Sequence, residues 1–150
     1  MNKRAVNAIG ITDFDDTLYV NGQLHQDYYE WLDHQGVNVY VVTGRLETER
    51  EATASLLEEM NVQYQELIMR PVDREDSSAW KGEVASNLIK EGNDVKFAVD
   101  NDPKARAAYE RAGVPQVYDP KALPASAAPA TTRDDLPEPA AMGDLYRTRL

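Results

Sequence analysis

The sequence contains no cysteine, which removes disulfides, thiolate metal sites and cysteine nucleophiles from consideration. A cytoplasmic setting is the expectation that goes with this. Histidine is nearly missing as well: His25 and His34 are the only two. They are too sparse for an imidazole metal centre, and both are expected at the surface. No long uncharged apolar run follows Met1-Asn2-Lys3-Arg4-Ala5, so neither a signal peptide nor a membrane partner is expected. Basic charge is scarce: 16 Lys and Arg against 26 Asp and Glu give a formal net charge of -10. Non-specific binding to nucleic acid relies on neutralising many phosphates, which this balance opposes. A local basic pocket can still capture one phosphate. The chain has no GxxxxGK[ST] loop, so P-loop kinase chemistry is excluded.

What is present suits one folded domain. The 150 residues, with 42% hydrophobic and 28% charged side chains, match an ordinary single-core protein. Val6 to Thr12 is a short β-branched run that reads as a buried strand. Asn21-Gly22 marks a turn, and Tyr28, Trp31 and Leu32 then recur at helical spacing until Gly36. Val37 to Val42 is the clearest strand, and Thr43-Gly44 is expected to open a helix reaching Met60. A third strand falls at Leu67-Ile68-Met69. A helix capped by Ser77 or Ser78 should carry Trp80, Val84, Leu88 and Ile89. A fourth strand at Val95 to Val99 precedes a helix from Lys104 to Ala112, led by Pro103 and closed by Gly113. Gln116 to Tyr118 would be a fifth strand. This alternation predicts an α/β, Rossmann-like fold with a parallel five-stranded sheet and helices on both faces. Residues 1–118 would form the core, and 119–150, rich in Pro and Ala, a linker or surface tail.

The polar residues that stand out all follow strands: Asp13, Asp15 and Thr17 the first, Thr43-Gly44-Arg45 the second, Asp100 and Asp102 the fourth. Ligands of open parallel sheets bind beyond the carboxyl ends of the strands, where strand order reverses. If the first and fourth strands are neighbours there, two acidic clusters share one crevice. Such carboxylates repel unless a cation sits among them, and an oxygen-only donor set suits Mg²⁺.

These residues also carry a resemblance. Asp13-Phe14-Asp15-Asp16-Thr17-Leu18 resembles the DxDxT signature of the haloacid dehalogenase (HAD) phosphohydrolases. Val41-Val42-Thr43-Gly44, Lys81 and Val99-Asp100-Asn101-Asp102 resemble the later motifs, in order, across Ile9 to about Tyr118. The resemblance implies a metal-dependent phosphatase. In it Asp13 attacks phosphorus, Asp15 serves as acid and then base, Thr43 hydrogen-bonds the phosphoryl group, and Lys81 neutralises charge. Mg²⁺ would be held by Asp13, the Asp15 carbonyl and Asp100, and Thr17 would order the aspartate loop. Many members carry adjacent aspartates in the fourth motif. Here Asn101 holds the second position, so Asn101 or Asp102 would complete the metal shell. Structural alternatives stand beside these roles: Asp102 before Pro103 is a natural helix N-cap, and Lys81 could be a solvated helix lysine.

Neither Thr17 to Val37 nor Gly44 to Lys81 has room for a cap domain. An open site suits a bulky ester. Thr43-Gly44-Arg45, Met69-Arg70 and Asp73-Arg74-Glu75-Asp76, with Phe97 to Asp102 and Arg111 to Val114, are similar to the 3′-phosphatase domains of bacteriophage-type polynucleotide kinase-phosphatases. That resemblance implies a nucleic-acid or nucleotide 3′-phosphate as substrate, with Gly44, Arg45, Arg70 and Arg74 beside it. The net charge keeps a mononucleotide phosphatase open. A binding module that has lost catalysis is the alternative from another class.

Overall fold

The computed structural model describes residues 7–125. Five parallel strands form the central sheet: β1 (Ala8–Thr12), β4 (Asn38–Leu46), β5 (Glu66–Arg70), β6 (Asp94–Val99) and β7 (Val117–Tyr118). They lie in the order β5-β4-β1-β6-β7, so β1 pairs with β4 on one side and β6 on the other. The chain builds outward from β1 in one direction, then returns to build in the other. The reversal falls between β1 and β6, where α/β sheets open a ligand crevice.

Between β1 and the first helix, α1 (Gln26–Asp33), lie the aspartate loop and a small hairpin of β2 (Tyr19–Val20) and β3 (Gln23–Leu24). Its turn residues Asn21 and Gly22 both have positive φ, 56° and 80°, the backbone that Asn-Gly favours. Helices α2 (Arg50–Glu59), α3 (Ser77–Lys90) and α4 (Pro103–Ala112) complete the described chain. No helix among the described residues is long and apolar enough to cross a membrane.

Because successive strand residues face opposite sides, the sheet feeds two cores. Val39, Val41, Phe97 and Val99 pack with Tyr28, Leu32 and Leu57 on the α1/α2 face. Ile9, Ile11, Tyr40, Val42 and Ala98 pack with Trp80, Leu88 and Tyr109 on the α3/α4 face. The Tyr28, Trp31, Leu32 stripe is thus interior, Trp31 only partly so. A register shift opposite Ile9/Gly10 leaves exposed Lys96 unpaired, which keeps both Val95 and Phe97 buried. Gly10 is required there: a Cβ would sit 2.5 Å from Phe97 Cζ and 2.7 Å from Val37 Cγ2.

Two local expectations need correction. Thr43-Gly44 does not open a helix. β4 continues to Leu46, which pairs with Arg70 past a register shift, and a 3₁₀ turn at Glu47–Glu49 precedes α2. Close packing holds Gly44 in place, since a Cβ would lie 2.5 Å from Ser77 Oγ. The α3 N-cap is Asp76, whose carboxylate accepts from Ala79 N–H, not Ser77 or Ser78. Ser78 bonds Asp102 instead. Beyond Tyr118, Leu123 packs on the α1/α2 core and Trp31 Nε1 donates to the Pro124 carbonyl at 2.9 Å. The expected tail from residue 126 onward lies outside the described residues, as does Val6.

Candidate active site

The ends of β1 and β6 place two carboxylates side by side. Asp13 follows β1 directly, its N–H bonded to the Val99 carbonyl of β6; Asp100 follows β6, its N–H bonded to Tyr118. Both are buried, Asp13 at 6% and Asp100 at 0% exposure. Lys81, on the first turns of α3, reaches between them. Its Nζ donates to Asp13 Oδ1 at 3.0 Å and Asp100 Oδ2 at 2.7 Å. Lys81 is itself 5% exposed, so it is no solvated helix lysine.

The electrostatics follow from this arrangement. Two buried carboxylates share one ammonium, so the cluster carries an excess negative charge. The Asp13 carboxyl is raised to about 7: burial is the largest cause, Lys81 opposes it, and the Asp100 charge adds to it. Burial works against the Lys81 ammonium too, but Asp13 and Asp100 outweigh it and hold its pKa above the ordinary value. Lys81 therefore stays charged.

The surrounding residues fix this cluster. Thr17 Oγ1 contacts Asp13 Oδ2 at 3.4 Å, and Tyr28 on α1 donates to Thr12 Oγ1 at 2.8 Å, just before Asp13. Asp102 N–H donates to Asp100 Oδ1 at 2.9 Å, and Arg106 Nη1 holds the Asp100 carbonyl at 2.9 Å. Asp102 caps α4 through Lys104 N–H and accepts from Ser78 Oγ at 3.0 Å, tying together the starts of α3 and α4. Each of its oxygens carries one structural bond. Asn101 is exposed at the rim. In the aspartate loop, Asp16 has a φ of 63°, a left-handed backbone that costs a residue with a Cβ unless its side chain is short and polar.

Thr43 is buried at the end of the straight part of β4, and its Oγ1 accepts from Arg45 N–H. Asp15 is set apart from the buried cluster. Arg45 grips it with paired bonds, Nε to Oδ2 at 2.9 Å and Nη2 to Oδ1 at 3.0 Å. Arg70 donates to the Gly44 carbonyl at 2.8 Å and to the Arg74 carbonyl, bracing the loop before α3. Arg74 lies outward in a two-bond pair with Glu83. The fold thus gathers Asp13, Thr17, Lys81 and Asp100 in direct contact and commits Arg45, Arg70, Arg74 and Asp102 to protein partners.

Sequence reasoning missed Tyr28 and Tyr109 as neighbours of the cluster. Burial drives the Tyr109 phenol well up, with further contributions from Asp100 and Asp13, and its hydroxyl has no hydrogen-bond partner among the described residues. Both tyrosines look like core residues in sequence, and they are core; only the position of the far end of each ring makes it relevant. Arg106, which holds the Asp100 carbonyl, gave no signal because its spacing matches any exposed helix residue.

No family model matches this chain, and no curated protein does. Solved structures do. One chain of the Pnkp1/Rnl/Hen1 RNA repair complex superposes with a TM-score of 0.68 at 22% identity, over 79% of this chain and 44% of that one. A second structure of the Pnkp1/Rnl/Hen1 complex gives a TM-score of 0.62 at 22% identity, over 78% of this chain and 47% of that one. The similarity is one of fold, and this chain spans about half the length of those it matches.

Proposed function

We propose that the protein is a phosphomonoester hydrolase of the HAD type that works through an aspartyl-phosphate on Asp13. The observation that carries this is the buried Asp13–Lys81–Asp100 cluster at the sheet's switch point, with a second, solvent-reachable carboxylate two residues on at Asp15. In this reading the Asp13 oxygen not held by Lys81 attacks phosphorus as the ester bond breaks. Asp15 gives its proton to the departing oxygen, then takes one from the water that releases phosphate from Asp13. Lys81 holds the attacking carboxylate in place and balances charge arriving with the phosphate. Thr43 and Thr17 offer hydroxyls to phosphate oxygens and to the loop, respectively.

The donor set fits Mg²⁺. Among the described residues, no group of three or more His, Cys, Asp or Glu side chains converges on one point. Mg²⁺ does not need one, because it is commonly held by one or two carboxylates with waters and substrate phosphate. Asp13, Asp100 and the Asp15 carbonyl would hold it, with exposed Asn101 a further candidate ligand, while Asp102 serves as the α4 cap. Bound there, the ion would offset the excess negative charge and favour the Asp13 carboxylate.

The substrate we favour is a 3′-phosphate on a nucleic-acid end or nucleotide. The described chain inserts only a two-stranded hairpin near the site, leaving it open to a bulky ester, and the fold neighbours belong to RNA repair complexes. The formal charge of -10 favours short substrates, down to a mononucleotide. Phosphate release from p-nitrophenyl phosphate should require Mg²⁺ and vanish in Asp13→Asn and Asp15→Asn. Wild-type rates in both variants would sink the mechanism. 3′-Phosphorylated oligonucleotides and nucleoside 3′- and 5′-monophosphates, compared directly, then decide the ester class.

A further inference from the structure

We propose that Arg45 is the positioning residue of the acid/base Asp15, a role that rests on the phosphatase reading, and that it does not grip substrate phosphate. Every end of its guanidinium is engaged. Nε and Nη2 hold the two oxygens of Asp15, and Nη1 reaches Thr53 Oγ1 at 3.3 Å. Thr53 is itself fixed, fully buried and bonded to the Glu49 carbonyl at 2.9 Å. The guanidinium carbon lies 4.8 Å from the centroid of Phe14, a ring at 0% exposure that stacks on Tyr19. Core packing thus fixes the platform under Arg45, and Arg45 fixes Asp15. The main chain of Arg45 is anchored through Thr43 Oγ1 at 3.1 Å.

Asp15 needs such a restraint. Its side chain is 47% exposed on a loop, and Arg45, at 21%, is the ion-pair partner the structure gives it. A free carboxylate there would sample several rotamers, only some of which point at a leaving oxygen. Arg45 takes one lone-pair position on each oxygen. A carboxylate has about four such positions, so room remains on the open side for the transferred proton. The planar, two-point grip defines the plane of the carboxylate, which a lysine ammonium cannot do.

The chemistry gives this role a distinctive readout. A protonated acid matters when the leaving group is an alkoxide and hardly at all when it is p-nitrophenolate, which departs unaided. The experiment compares Arg45→Lys and Arg45→Gln with wild type on p-nitrophenyl phosphate and on the best alkyl ester from the panel above. In both variants kcat/KM, which reports the step that forms the aspartyl-phosphate, should fall by about 10²-fold on the alkyl ester and only about threefold on p-nitrophenyl phosphate, while kcat falls on both esters wherever the water step, which needs Asp15 as base, limits turnover. Equal losses of kcat/KM on the two esters would overturn the proposal, as would a KM raised by the same factor on both or an Arg45→Lys variant as good as wild type, since a phosphate-gripping role predicts those results. A wild type that hydrolyses no phosphate ester overturns the phosphatase reading and this inference with it. Activity with an indifferent Arg45 overturns the inference alone.

Discussion

Asp13→Asn should abolish turnover and yet make the protein more stable at alkaline pH. Wild type buries Asp13 and Asp100 around a single Lys81, leaving one negative charge without a partner. Burial raises the Asp13 carboxyl from its ordinary 3.8 to about 7. The folded state therefore binds a proton more tightly there than the unfolded chain does, and stability falls as pH rises from about 4 through about 7. A span of about three pH units, at about 1.4 kcal/mol each, sets a ceiling of roughly 4 kcal/mol on that loss. The amide keeps the shape, can accept from Lys81, and leaves a neutral Lys81–Asp100 pair. Sharing of the proton across the cluster reduces the gain, so about 2 kcal/mol at pH 8 is the expected difference. Urea unfolding of both proteins at pH 5 and pH 8, without divalent cations, measures it. The variant's advantage should open as pH rises. Mg²⁺ should close it again by stabilising wild type selectively. A variant less stable than wild type at pH 8, or a gap that ignores pH, would refute the reasoning.

Three other outcomes are expected. Gly10→Ala drives a Cβ to 2.5 Å from Phe97 Cζ in a packed sheet, and should cost about 1–3 kcal/mol in urea unfolding. Tyr109→Phe removes a buried hydroxyl that has no partner among the described residues, so its melting temperature should equal or exceed that of wild type. Ending the chain after Tyr118 removes Leu123 and the Pro124 carbonyl that Trp31 bonds. It should lower stability by about 1–2 kcal/mol and change Trp31 fluorescence.

Much of the fold was legible because it rests on local patterns. Val37 to Val42 reads as a strand since a parallel strand buried on both faces must be continuously apolar. Pro103 and Gly113 mark α4 because one lacks an amide hydrogen that the first turn does not need, and the other takes a φ of 102°. The missed helix start at Thr43-Gly44 shows the limit. Local turn chemistry suggested a boundary, but pairing of Leu46 with Arg70 and the packing of Gly44 on Ser77 extended the strand. Neither contact is visible along the chain. The N-cap of α3 fell to Asp76 for a similar reason, Ser78 being engaged by Asp102 from another helix.

The candidate site divides in the same way. Sequence alone determined which acidic, basic and hydroxyl residues follow the strands, because chemistry at a parallel sheet gathers at the carboxyl ends. Tertiary structure decided what each group faces. Only the β1–β6 pairing puts Asp100 beside Asp13, and only the approach of α3 puts Lys81 between them. Arg45, Arg70 and Arg74 read alike in the sequence as basic residues, and the fold gives each a different partner: Asp15, backbone carbonyls and Glu83. A side chain's charge is written in the sequence. Its partner depends on distances of about 3 Å between residues far apart in the chain, and only the folded structure sets those.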